Sequence, residues 1–219
     1  MPSDIVQPLH PDERFCSRCG QPLGLREEGG RLRPACPGCG QIVFGHFSVG
    51  VGGLIVRRGR ILLVQRAHDP GRGRWTLPGG YVEEDEAPHD AIVREVLEET
   101  ALTVVPRALL AIRHAQNARE QNLYLVFSLA LHGPPSALRP DGREIADARW
   151  VRPDELASLG TVGSISQWVI ERFARRPSGF GIIPAEQQPP PVSTHRWTAL
   201  YATPPSRTHR RTPLSRQKE

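Results

Sequence analysis

No stretch restricts the fold of this chain more than Gly80 to Leu102, which reads GYVEEDEAPHDAIVREVLEETAL. The spacing predicts a helix from Ala87 to Thr100, with Pro88 near its first turn, where a missing amide costs nothing. At about 100° per residue, Val96, Val93 and Leu97 fall roughly 40°, 100° and 140° from Ile92, and Glu98, Glu95 and Glu99 fall roughly 240°, 300° and 340° from it. One face is therefore apolar and the adjacent arc holds three carboxylates. Arg94 neighbours Glu98 on this projection, a pair at i, i+4. Three anions this close repel by roughly a few tenths of a kcal/mol per pair in a solvated helix, and by more when partly buried. A divalent cation reverses the sign of that repulsion. Oxygen ligands alone favour Mg²⁺ or Mn²⁺, which keep waters and also bind substrate phosphates. Taken alone, such a helix reads more simply as a solvated acidic face.

The four cysteines stand as Cys16-x2-Cys19 and Cys36-x2-Cys39, with sixteen residues between the pairs and no cysteine elsewhere. This is a zinc-site spacing. In each pair a glycine, Gly20 or Gly40, follows the second cysteine and suits a tight turn whose amides face the thiolates. Two such knuckles on hairpins make a zinc ribbon, and four thiolates leave no coordination position open, so the expected Zn²⁺ is structural. The alternatives are four reduced structural cysteines or two disulfides.

From Ser48 the pattern changes to strands. Leu54-Ile55-Val56 leads through Arg57-Arg58-Gly59-Arg60 to Ile61-Leu62-Leu63-Val64, a hairpin with glycine in its turn. Residues 67–74 read as a loop. Strands follow around Thr103 to Arg113 and Leu123 to Leu131, then near Ala148 to Val151. Pro153 starts a turn of helix, and Ile165, Trp168, Val169 and Phe173 fit one stripe of a closing helix, a core stripe and no cofactor box. With 219 residues there is room for one ordinary domain and a small module. No apolar run approaches the roughly 20 residues of a membrane span. The opening MPSDIVQPLH lacks the basic flank and apolar core of a signal peptide, so a reducing, cytoplasmic setting is expected. Beyond Pro184 the composition turns to Pro, Gln, Ser, Thr and Arg, which predicts a disordered basic tail over 184–219. That tail holds six basic and two acidic residues, four of the five net positive charges of the chain. Because the charge sits there and not on a folded face, nucleic acid is discounted as a partner. The expected organisation is a flexible N-terminus over 1–12, a zinc ribbon over 13–43, a main domain over 46–176 and the tail.

A longer pattern includes the carboxylate helix. Gly80, Glu86, Arg94, Glu95, Val96, Glu98, Glu99 and Leu102 match, position for position, the Nudix box: glycine, five residues, glutamate, seven residues, then Arg-Glu-aliphatic-x-Glu-Glu-x-Gly-aliphatic. The one departure is Ala101, where the box has the glycine that caps the helix; the alanine is expected to cost about 1 kcal/mol or to shift the cap. Over about residues 46–175 the chain resembles the Nudix hydrolase superfamily. The resemblance implies an α/β/α sandwich around a mixed sheet, in the α/β class, and hydrolysis of a nucleoside diphosphate linked to a further moiety. It also implies that Glu95, Glu98 and Glu99, with a backbone carbonyl at Gly79 or Gly80, hold Mg²⁺ or Mn²⁺, that Arg94 orients the glutamates, and that Glu86 reaches a metal through water. The general base varies within the superfamily; after Glu98 itself, Glu144 and Glu120 are candidates, and either reads equally as an exposed loop glutamate. Arg66 and Arg74 are candidates for phosphate oxygens, and Tyr81 for stacking on a base or for simple packing.

A zinc ribbon ahead of a Nudix domain resembles the NADH pyrophosphatases and a set of ADP-ribose or FAD pyrophosphatases. The SQPWPFP-type signature of the NADH group is missing from Pro106 to Gln121, which places ADP-ribose or FAD ahead of NADH. The alternatives are a house-cleaning nucleoside triphosphate pyrophosphohydrolase and a non-catalytic nucleotide-sensing or nucleic-acid-binding regulator; the intact glutamates argue against the second. A small nucleotide is thus the expected partner, and relatives that are dimers make a homodimer a candidate assembly.

Overall fold

The computed structural model describes residues 14–116, 121–133, 137–175, 181–183 and 196–202. Two short strands come first, β1 (Gly24–Glu28) and β2 (Arg31–Ala35), joined as an antiparallel hairpin. Next come β3 (Phe47–Arg57), β4 (Arg60–Arg66), β5 (Trp75–Thr76), helix α1 (Pro88–Thr100), β6 (Val104–Gln116), β7 (Gln121–Leu131) and β8 (Ile145–Val151). A 3-10 run over Pro153–Leu159, helix α2 (Ser164–Phe173), β9 (Gly181–Ile183) and β10 (Arg196–Ala202) complete the order.

The main sheet is mixed, as expected. Strand β3 runs parallel to β7 from Phe47↔Gln121 to Ile55↔Leu129, and β7 pairs antiparallel with β6. Strand β4 pairs antiparallel with β8 along its length and with β5 near its end. The β3–β4 hairpin turns on Arg58-Gly59, both at positive φ (49° and 72°). Such two-residue turns need left-handed backbone at both positions, so the glycine there is a geometric requirement.

Both faces of the sheet are covered. On one, Ile92 and Val96 of α1 pack with Val51, Ile55, Leu62 and Leu129. On the other, Val169, Ile170 and Phe173 of α2 pack with Leu54, Leu63, Leu110 and Val126. Alternate residues of one strand therefore serve opposite layers, the period-2 rule applied to a sheet buried on both sides. The result is the α/β/α sandwich.

Two expectations change. Leu97, assigned to the apolar face of α1, is 50% exposed, whereas Glu95 and Glu99 are buried. The buried arc is centred near Ile92 and takes in Ala91, Glu95, Val96, Glu99 and Thr100, because α1 lies with its carboxylate edge turned inward at the Gly79-Gly80 segment. Within the span read as tail, Arg196–Ala202 forms β10 and pairs antiparallel with β6 and with β9. RWTALYA is rich in strand-forming side chains, and β6 offers an edge for it to pair with. The remainder of 184–219 and the N-terminal 1–12 lie outside the described residues. Among the described residues no helix is long and apolar enough to cross a membrane.

Candidate active site

Arg94 organises the carboxylates of α1. Its guanidinium donates two hydrogen bonds to Glu86, from Nη2 to Oε1 (2.6 Å) and from Nε to Oε2 (3.1 Å). Nη1 donates to Glu95 Oε1 (2.8 Å) and to Glu98 Oε2 (3.1 Å), and Nη2 also donates to the Tyr81 carbonyl (3.1 Å). The planar fork of arginine allows this, where a lysine ammonium would not span three carboxylates at once. The Arg94 contact holds Glu86 below the usual carboxylate range. Burial holds Glu95 above it despite Arg94.

Glu99 is held from the opposite side, where the Gly79 amide donates to its Oε2 (2.8 Å). Burial, aided by the negative charges of Glu95, Glu144 and Asp141, outweighs that amide and pushes Glu99 up to about 8. The two glycines are required by close approach. Gly79 has φ +147°, and a Cβ there would lie 2.0 Å from the Val51 carbonyl oxygen; a Cβ on Gly80 would lie 2.4 Å from Glu95 Oε1. Short backbone bonds, Val51 N to Gly80 O (2.8 Å) and Gly53 N to Pro78 O (2.9 Å), tie this segment to β3. Each of Glu95, Glu98 and Glu99 thus has one carboxylate oxygen engaged, and among the described residues the second accepts no hydrogen bond. Oxygen donors of this kind, on buried Glu95 and Glu99 and on exposed Glu98, fit a hard divalent cation.

These side chains line a cleft of about 1000 Å³, shared with Arg66, His68, Tyr81, Asp141, Arg143 and Glu144. Glu144 enters through a turn built on Asp141, whose carboxylate accepts from the amides of Arg143, Glu144 and Ile145. The Glu144 carbonyl in turn accepts from the Ala67 amide (2.8 Å), fixing the turn against the loop after β4. Glu86 sits outside the cleft lining, with both oxygens turned to Arg94. Glu120 lies outside the described residues. Arg66 and Tyr81 line the cleft and also a second, adjoining cavity of about 380 Å³, whereas Arg74 lines only that second cavity. Arg113, Asn122 and Tyr124, which the sequence reading did not single out, line the second cavity too. A signal was present: Gly50 and Gly52 alternate in a strand, which marks close approach, and the Tyr124 ring lies where their Cβ atoms would be, its nearest atoms 2.8 Å and 2.4 Å away.

The N-terminal cysteines converge separately, and none lines the cleft. The Sγ atoms of Cys16, Cys19, Cys36 and Cys39 all lie within 4.8 Å of one another, with Cys16 and Cys39 at 3.6 Å and Cys19 and Cys36 at 3.4 Å. A tetrahedron of sulfurs at about 2.3 Å from a zinc ion has edges of about 3.8 Å, so the set fits. Each knuckle repeats the same bonds, with Cys16 N to Gln21 O and Gly20 N to Cys16 O in one, and Cys36 N to Gln41 O and Gly40 N to Cys36 O in the other. Gly20 and Gly40 have φ of 73° and 75°, which glycine adopts freely. The Cys39 amide, 3.4 Å from Cys36 Sγ, favours the thiolate there, whereas Cys19, despite a backbone hydrogen bond at Gln21, is pushed up to about 12 by its hydrogen bond to Cys36. All four cysteines are free of disulfides. The cluster and its hairpin are consistent with a small zinc ribbon.

Residues 46–173 match the family model described as NUDIX domain. An NAD-capped RNA hydrolase, NudC, from Stutzerimonas stutzeri is 31% identical over 166 residues, 76% of this chain and 58% of that protein. An ADP-ribose pyrophosphatase from Methanocaldococcus jannaschii is 35% identical over 101 residues, 45% of this chain and 60% of that one. The chain therefore spans less than two thirds of these curated relatives. Among solved structures, a NUDIX hydrolase from Nitrosomonas europaea superposes with a TM-score of 0.64 at 29% identity, covering 75% of this chain and 92% of that one.

Proposed function

Because the chain belongs to the NUDIX family, we propose that it hydrolyses the pyrophosphate of a nucleoside diphosphate linked to another moiety, with ADP-ribose or FAD as substrate. The observation that carries this reading is the single guanidinium of Arg94 binding Glu86, Glu95 and Glu98 while the Gly79 amide holds Glu99. That frame keeps three carboxylates on one wall of a cleft large enough for a dinucleotide.

Glu95, Glu98 and Glu99, with the carbonyl of Gly79 or Gly80, would hold Mg²⁺ or Mn²⁺. When bound, the ion supplies positive charge against the pyrophosphate oxygens and acidifies water. Arg94 keeps the glutamates apart and aimed. Arg66, at the border of cleft and cavity, meets a phosphate oxygen. Glu144, exposed on its Asp141 turn, takes the proton of the attacking water. Zn²⁺ in the four-cysteine cluster has a structural role only. The pyrophosphatase named for the Methanocaldococcus relative supports ADP-ribose; the NudC relatives keep NAD-type dinucleotides in play, although Pro106 to Gln121 lacks the NADH signature.

The test is chromatography of products after incubation with Mg²⁺ and a nucleotide panel. AMP with ribose 5-phosphate, or AMP with FMN, is expected, and Glu98→Gln should cut the rate about 100-fold or more with its circular dichroism unchanged. Near-normal turnover in that variant would sink the metal assignment. Release of inorganic pyrophosphate from nucleoside triphosphates, with ADP-ribose and FAD untouched, would favour the house-cleaning reading. Nucleotide binding with no product at all would favour a sensor.

A further inference from the structure

The cavity beside the cleft has the opposite electrostatic character. Glu83, Glu95, Glu98, Glu99, Asp141 and Glu144 line the cleft. Arg66, Arg74 and Arg113 line the cavity, and among the described residues no aspartate or glutamate does. The two spaces meet at Arg66, Gly79, Gly80 and Tyr81, so the sign of the lining changes across one segment of chain.

Arg74 Nε is buried without a hydrogen-bond partner, and no ion pair to Arg74 occurs among the described residues. The Arg113 guanidinium is positioned by Asn122 Oδ1, to which it donates, and by the Tyr124 ring, 5.2 Å away. Asn122 is itself fixed through its Nδ2, which donates to Ser48 Oγ (2.9 Å). Burial pushes Arg113 below the usual arginine range, so the fold bears a cost to keep that charge there. Helix α2 begins on the same wall at Gly163, Ser164, Ile165 and Ser166, and its N-cap Gly163 provides no side-chain acceptor. The positive end of the helix adds to the arginines and does not oppose them.

We propose that this cavity is a subsite for a phosphoryl group carried outside the scissile pyrophosphate, so that a phosphate monoester added to a linked nucleoside diphosphate, which ADP-ribose and FAD themselves lack, tightens binding. A phosphate monoester brings close to two negative charges and three acceptor oxygens, which guanidinium forks bind in paired hydrogen bonds. A sugar or flavin hydroxyl supplies acceptors but no charge to set against a wall whose charged residues, among those described, are arginines. This inference rests on the pyrophosphatase reading only for the placement of the scissile bond in the cleft.

The experiment uses two pairs of probes that differ by one phosphate, NADPH with NADH and coenzyme A with its dephospho form. Binding to the full-length protein is measured by calorimetry with Ca²⁺ in place of Mg²⁺, and hydrolysis is followed separately by chromatography with Mg²⁺. At least one phosphorylated member should bind about tenfold tighter than its partner, the effect expected of a phosphate held by charge-assisted hydrogen bonds. Arg74→Gln should bring that ratio to within about threefold of unity while Arg74→Lys keeps part of it, because a point charge replaces the fork. Arg113→Gln provides a second reading should the Arg74 variants fail to fold. Equal binding within both pairs, or a ratio unmoved by Arg74→Gln, overturns the subsite. A binding preference without hydrolysis supports the subsite and removes the pyrophosphatase reading; hydrolysis without preference does the reverse.

Discussion

Glu99 concentrates the electrostatic conflict of the site in one residue. Its carboxyl is buried beside Glu95 and near Glu144 and Asp141, and its acidity is shifted from an ordinary 4.5 up to about 8. Between those values the folded protein binds more protons than the unfolded chain, so stability from this group is complete below about pH 4.5 and is lost as pH rises through about 8. Without added divalent cation, the melting temperature should therefore fall by several degrees between pH 5 and pH 8.5, and Glu99→Gln should flatten most of that fall. Excess Mn²⁺ should restore the loss at pH 8.5, since a cation binds the ionised form. A melting temperature that rises over this range would show that Glu99 is ionised in the folded state throughout.

At the scale of elements, α1 packs on the sheet through Ala91, Ile92 and Val96 and ends on a residue unsuited to its geometry. Its C-cap, Ala101, stands at φ +58° and donates its amide to the Leu97 carbonyl (2.8 Å), the left-handed geometry a capping glycine takes without strain. The helix therefore keeps the cap position and carries the strain, where the sequence left open whether the cap would move. Ala101→Gly should stabilise the protein by about 1 kcal/mol, or about 2–4 °C in thermal melting, with the carboxylate frame unaltered. A drop in melting temperature would mean that the methyl group packs well enough to outweigh its backbone strain.

For the whole molecule, the two chemistries are separate. The four sulfurs belong to a hairpin with few buried apolar side chains, Cys16, Ala35 and Cys36 being its buried ones. So small an assembly depends on its metal for order. Metal analysis of protein purified without chelator should give one zinc per chain. Cys36→Ser should release it and expose residues 14–43 to proteolysis while residues 46–173 stay resistant. Substoichiometric zinc in the original protein, or full protease resistance in the variant, would contradict the ribbon.

Local order made much of this protein readable from sequence. The cysteine spacing, the box over Gly80 to Leu102 and the period-2 strands are set within a few residues, so the cysteine pairs, the carboxylate helix and the strands follow from the order of side chains, whereas the mixed sheet was implied only by the resemblance to the Nudix superfamily. Helical angles alone placed Leu97 inside and Glu95 and Glu99 beside the apolar face, because a projection records spacing and not the surface a helix lies against. Only the tertiary structure, by seating α1 on Gly79 and Gly80, turned those glutamates inward and left Leu97 exposed. The same holds for Arg113, Asn122 and Tyr124. They stand on neighbouring strands, and only the pairing of β6 with β7 and of β7 with β3 brings them to one wall with Arg74 and the start of α2. Contacts between residues far apart in sequence carry no local pattern, so the chemistry of the box is legible in the chain while the charge of the cavity beside it is decided by the fold.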